Sequence, residues 1–92
     1  MQDAPNEYNV LSSATKHGFD EGEVLNALSK SFVEVSYNKS GNIWAYCGPD
    51  KNGNPLELLV DRDKEPPVVF HADRLTVSFE KFIKSQLNRN VR

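Results

Sequence analysis

The sequence predicts an α+β domain of two layers. Two N-terminal helices and a C-terminal helix cover one face of a four-stranded antiparallel sheet. Three observations lead there. Period-two alternation marks Ser31–Tyr37, Asn42–Cys47, Leu56–Asp61 and Val68–His71 as strands, because successive side chains of a strand point to opposite faces. Helical spacing of apolar residues occurs before the first of these segments and after the last. The joining segments are short and rich in Gly, Asn, Asp and Pro, which favours sequential antiparallel pairing.

The elements follow in chain order. Residues 1–6 and 88–92 are expected to be flexible ends. Tyr8, Leu11 and Ala14 or Thr15 recur at helical spacing, so a short helix is expected from Tyr8 to His17, with Gly18 at the left-handed position after it. Lys16 and His17 then complement the negative end of its dipole. Asp20 and Glu23 form the signature of a capping box, and Phe19 with Val24 that of a hydrophobic staple. This second helix buries Val24, Leu25 and Leu28 and ends near Lys30. Asn38–Gly41 is turn chemistry, and Asn52-Gly53 is the strongest hairpin signal in the chain. Pro66-Pro67 suits the start of an edge strand. From Ser78 to Leu87, Phe79, Phe82, Ile83 and Leu87 make an apolar helical stripe. Ser78 is its expected cap, and Glu80 with Lys84 a favourable pair.

The totals narrow the function classes. Ninety-two residues support one core and one domain, 1–92. The net charge of −2 argues against a general nucleic-acid binder, though not against a local patch. Cys47 is the only cysteine, so an internal disulfide is excluded. No apolar run approaches the roughly 20 residues that span a bilayer. The N-terminus lacks the basic and apolar regions of a secretory signal, so a cytoplasmic location is expected. His17 and His71 stand far apart in sequence, and no phosphate-binding glycine loop is present, so neither a metal nor a cofactor is expected.

Lining up the strands assigns candidate site residues. The expected core face carries Val33, Val35, Ile43, Ala45, Cys47, Leu56, Leu58, Val60, Val68 and Phe70. The expected open face carries Glu34, Trp44, Tyr46, Glu57, Leu59 and His71, with Arg74 just past the strand end. Trp44 and Tyr46 on an open face suit base stacking; the alternative is a cross-strand packing pair. His71 suits general acid–base chemistry; the alternative is a structural histidine bonded to Glu57 or Asp73. Arg74 suits a phosphate, or an ion pair with Asp73, Asp61 or Glu80. Cys47 on the core face is expected to be inert.

An ordered set of segments carries a family resemblance. Lys16-His17-Gly18, the capped helix with Glu23, Val24 and Ala27, then GPDKNGNPLELLV and HADRL, resemble small bacterial toxins of the BrnT kind, within the RelE/ParE-like superfamily. The similarity runs from about Ala14 to Phe82. It implies a RelE/BrnT-like two-layer fold and a ribonuclease toxin of a type II toxin–antitoxin pair. Such toxins cleave RNA without metal, by attack of a 2′-hydroxyl on the adjacent phosphate. Carried over by position, His71 and Arg74 are the implied catalytic residues. Lys16, His17, Trp44, Tyr46 and Glu57 complete the expected substrate-binding set. The implied partners are RNA and an antitoxin chain that covers the active face. The competing expectation is a non-catalytic protein-interaction domain, which binds a partner or a second copy through Trp44 and Tyr46.

Overall fold

A computed structural model of the chain describes residues 7–90, so the expectations for residues 1–6 and 91–92 lie outside the described residues. The elements are β1 (Asn9–Val10), α1 (Ser12–Thr15), α2 (Glu21–Ser29), β2 (Val33–Ser36), β3 (Ile43–Pro49), β4 (Pro55–Asp61), β5 (Val68–Arg74) and α3 (Val77–Asn90). All four predicted strands form, in an α+β domain, and a fifth joins them. The sheet order is β1-β5-β4-β3-β2. Three neighbouring pairs are antiparallel, while β1 runs parallel to β5, so the sheet is mixed rather than purely antiparallel.

The added strand replaces part of the expected first helix. Asn9 N–H donates to Pro67 O at 2.8 Å and Leu11 N–H to Val69 O at 3.0 Å. These bonds satisfy the open edge of β5, which a helix from Tyr8 would leave bare. Only Ser12–Thr15 is helical. Tyr8 and Val10 both pack on the core, the period-two pattern of a strand. The last helix is also longer than expected, since residues 88–90 continue α3 instead of forming a loose end.

The sheet is covered on both faces. Leu56, Leu58 and Val60 pack beneath Ala14, Val24, Ala27 and Leu28 of α1 and α2. Val35, Ala45 and Cys47 pack beneath Phe79 and Ile83 of α3. The sequence reading placed these two sets of strand residues on one face. The β3–β4 register separates them: Trp44 pairs with Val60, Tyr46 with Leu58 and Gly48 with Leu56, so even-numbered residues face even-numbered ones. Slipping a strand by one residue exchanges its faces, and the hairpin loop sets which register forms. Here the loop is pinned by the Asp50 carboxylate. Its Oδ1 accepts from the backbone N–H groups of Asn52 and Asn54, each at 2.8 Å. Gly53 takes the left-handed conformation, φ 87°, that closes the turn.

A second parity change lies in β5. Leu59 pairs with His71 and Val60 with Val69, leaving Phe70 as the extra residue of a β-bulge. Val69 and Ala72 are fully buried, whereas Val68 and Phe70, expected in the core, are half-buried. The bulge carbonyl is not left open: Ser13 Oγ donates to Phe70 O at 2.7 Å.

Helix ends follow local chemistry. The Asp20–Glu23 capping box forms in both directions, at 2.8 and 3.3 Å. Phe19 and Val24 are buried in one cluster, as a staple requires. Gly18 has φ 100°, as expected after a helix end. The cap of α3 is Thr76 rather than Ser78, since Thr76 Oγ1 accepts from Phe79 N–H at 3.2 Å. Glu80 and Lys84 pair at 3.4 Å as expected. No helix among the described residues is long and apolar enough to cross a membrane.

Candidate functional site

The site grows from a buried carboxylate. Glu57 sits mid-strand in β4 on the α3 face, with its side chain 7 % exposed. A carboxylate at that depth needs donors to offset the loss of water. It has three. Thr76 supplies its backbone N–H and its hydroxyl to Oε1, both at 2.8 Å. His71 Nε2 lies 2.8 Å from Oε2. A backbone N–H can only donate, and this donor set suits an ionised glutamate, which accepts only. Nε2 of His71 is then the donor of that bond, and Nδ1 is the ring nitrogen turned away from Glu57. The strand register makes the contact possible. His71 and Asp73 share the α3 face of β5 with Leu59 and Glu57 of β4.

A second imidazole arrives around the sheet edge. Below the short β1 pairing, no further strand of the described residues lies beside β5, and α1 lies along that edge, held by the Ser13–Phe70 bond. Lys16 closes α1 as its C-cap, and Gly18 turns the chain immediately afterwards. This leaves His17 facing His71: the rings are 6.1 Å apart, edge to face at 74°. His17 Nδ1 lies 3.7 Å from Asp73 Oδ2, and both side chains are about one-third exposed, at 36 % and 33 %. Two imidazoles, each beside its own carboxylate, therefore meet at one sheet edge. One is held by a buried partner and the other is more open to solvent.

A groove of about 600 Å³ adjoins the pair on the α3 side, lined by Glu57, His71 and Thr76 at one end and by Tyr37, Phe79 and Phe82 at the other. It exists because α3 lies over β2 and β3, leaving the β4–β5 half of the face open. Among the described residues no group of three or more His, Cys, Asp and Glu side chains is arranged to hold a metal ion.

The remaining expected site residues lie elsewhere. Arg74 pairs with Leu56 in the sheet and so projects to the opposite face. Its guanidinium meets Asp50 at 3.2 Å and lies 5.5 Å from the Phe19 ring centre. The expected trio of His71, Arg74 and Trp44 is thus divided between the two faces of the sheet. Tyr46 is buried in the α2-side core, and burial pushes its phenol up from the usual value. Trp44 donates from Nε1 to Gly41 O at 2.9 Å and carries Arg62 over its ring at 4.0 Å. Arg62 also donates to Tyr46 Oη at 2.9 Å and pairs with Glu34 at 3.3 Å. Neither aromatic forms an open stacking platform. Lys16 is exposed and next to His17. Cys47 is buried under α3, and burial pushes its thiol up, which favours the unreactive form.

Sequence reasoning offered Asp73 only as a partner of His71 or Arg74, where the structure sets it beside His17, and it passed over Thr76. Asp73 was visible two residues from His71, on the same side of a strand. Thr76 gave no signal, because its two bonds to Glu57 depend on the chain turning from β5 into α3 at that point. Comparison with protein-family models, with characterised proteins and with solved structures finds no match.

Proposed function

We propose that the chain is a metal-independent ribonuclease, the activity implied by its resemblance to BrnT-like toxins, with His71 and His17 as the acid–base couple. The observation that carries this reading is the pairing of two imidazoles 6.1 Å apart, one held at 2.8 Å by a buried glutamate. Cleavage of an RNA phosphodiester by its own 2′-hydroxyl needs one base and one acid on either side of the phosphorus, and imidazole is the side chain suited to both near neutral pH.

His71 Nδ1 takes the proton of the 2′-hydroxyl while Nε2–H stays bonded to Glu57, whose charge stabilises the imidazolium that forms. The 2′-oxygen forms a bond to phosphorus, and the bond from phosphorus to the 5′-oxygen breaks. The departing 5′-oxygen takes a proton from His17 Nε2, leaving a 2′,3′-cyclic phosphate and a free 5′-hydroxyl. Lys16, adjacent to His17, supplies positive charge toward the phosphate. Glu57 is a positioning residue here, and Arg74 has no part in this reading. A separate antitoxin chain that covers the groove is the partner the same reading implies.

The test is incubation of the purified protein with single-stranded RNA in EDTA, with analysis of the product ends. Cyclic-phosphate ends are expected, with a rate optimum between about pH 5 and 8. His17→Ala and His71→Ala should each lower the rate by roughly 10²- to 10⁴-fold. Glu57→Gln should lower it as well and displace the pH profile, because the tautomer of His71 is no longer fixed. Absence of cleavage, or cleavage that survives loss of either histidine, overturns the reading in favour of a protein-interaction domain.

A further inference from the structure

The groove beside His71 extends well beyond what proton transfer requires. Its volume of about 600 Å³ falls within the roughly 300–1,000 Å³ of small-ligand sites. The end away from the histidine is aromatic. Tyr37 is 43 % exposed, yet its ring is fixed on two sides. It stacks on Phe79 at 6.5 Å and 21°, and meets the edge of Phe82 at 5.0 Å and 61°. Leu59 forms the floor between the aromatic end and the imidazole. It pairs with His71 on the neighbouring strand, so the two are one strand spacing apart, about 4.8 Å. A group over Leu59 therefore lies beside the imidazole, with Tyr37, which follows β2, further along the same groove.

Charge decides what kind of group fits. Among the described residues no lysine or arginine lines the groove; its ionisable members are Glu57, His71 and Tyr37. The whole chain carries −2. Neutralisation of phosphates by basic side chains, the usual source of sequence-independent affinity, is weak here. Stacking of a base on an aromatic ring needs no such charge and gives roughly 5- to 150-fold in affinity per base. We infer that the groove holds one unpaired nucleobase of single-stranded RNA, stacked on the Tyr37–Phe82 end, and that this contact rather than backbone charge selects the substrate. The inference rests on the acid–base reading of His17 and His71.

The experiment uses 2′-O-methyl tetranucleotides, which lack the attacking hydroxyl and stay intact on the wild-type protein. Binding is measured across a salt series, against the same oligonucleotide with one abasic position. The abasic change and Tyr37→Leu are each expected to weaken binding about 10-fold, and together no more than either alone. Tyr37→Phe should keep wild-type affinity, and leucine retains an apolar contact with Phe79, so a thermal melt confirms that each variant folds. The dependence on salt should be shallow. Equal binding of intact and abasic strands, no binding of either, or a steep salt dependence indifferent to Tyr37, overturns the inference. The two readings fail separately. RNA cleavage that requires both histidines but ignores an abasic site removes only the base subsite. Tyr37-dependent binding without cleavage of any RNA removes only the acid–base couple.

Discussion

At the scale of single residues, Gly48 and Asp50 shape the β3–β4 hairpin and its fit under α2. Gly48 lies in β3 directly under α2. A Cβ at this position would stand 1.9 Å from Ala27 O and 2.8 Å from Ala27 C. Both atoms are backbone, so no rotamer change relieves the clash and the helix itself must move. Gly48→Ala is expected to cost about 1–3 kcal/mol or more, and to lower Tm by on the order of 10 °C, measured by calorimetry. An unchanged Tm would mean that α2 does not sit this close to the sheet. Asp50 organises the adjoining hairpin and anchors Arg74. Its carboxyl is held below the usual aspartate range, chiefly by the backbone N–H of Asn54, against the opposing effect of burial, with help from Asn52 and Arg74. A carboxyl whose folded value is depressed stabilises the fold above its ordinary value, about 3.9, and loses that contribution as pH falls through the lowered value. Asp50→Ala should therefore be less stable than wild type in urea at pH 7. The gap should narrow progressively below about pH 4. A gap that stays constant down to pH 2 would show that the carboxylate's charge plays no part.

At the scale of elements, the turn from β5 into α3 joins stability to the site. Thr76 caps α3 through its hydroxyl oxygen and donates through the same hydroxyl to Glu57. Thr76→Ala removes a cap, worth about 1 kcal/mol, and one donor to a buried carboxylate, worth about 1.5–3 kcal/mol. A loss of about 2 kcal/mol or more is expected from urea unfolding, with a slower cleavage rate because Glu57 is less firmly held. Thr76→Ser should restore most of both; if it does not, the methyl group rather than the hydroxyl matters. The sequence made some of these elements readable and others not. The capping box, the Asn52-Gly53 turn and the α3 helix depend on neighbours within a few residues, and each formed, though of the apolar stripe Phe79 and Ile83 are buried while Leu87 stays exposed. The faces of the strands did not follow from alternation alone. Alternation shows that Leu58 and Glu57 point oppositely, but not which of them joins Tyr46. That choice is made by the loop around Asp50 and by the bulge at Phe70, whose carbonyl bonds Ser13 from 57 residues away. Of the residues the sequence singles out, His71, Glu57 and His17 therefore lie together, while Trp44 and Arg74, expected beside them, are on the other face.

At the scale of the whole molecule, the sheet divides the interior into two unequal cores. Among the described residues eleven buried ones pack on the α1–α2 side and five on the α3 side, so the α3 layer has less apolar contact to hold it. A helix docked mainly through Phe79 and Ile83 should open more readily than the rest of the chain unfolds. Cys47 is a built-in probe of that motion. It is the only cysteine, 3 % exposed, and lies beneath α3 with its thiol pushed toward the unreactive form by burial. Thiol labelling therefore requires α3 to lift. Under conditions where opening equilibrates before labelling, the rate gives the free energy of opening, to be set beside the global value from urea. The opening free energy is expected to be the smaller of the two. Phe79→Ala, which removes about 3–5 kcal/mol of packing for a well-buried ring, should speed labelling far more than it reduces α2-side protection measured by hydrogen exchange. Equal free energies for labelling and global unfolding would mean that the two cores form one cooperative unit. The distinction bears on the site, because α3 forms the wall of the groove and its first turn holds Glu57. The proposed chemistry needs that layer closed, because lifting α3 withdraws Thr76 from Glu57 and the Phe79 and Phe82 rings from the groove.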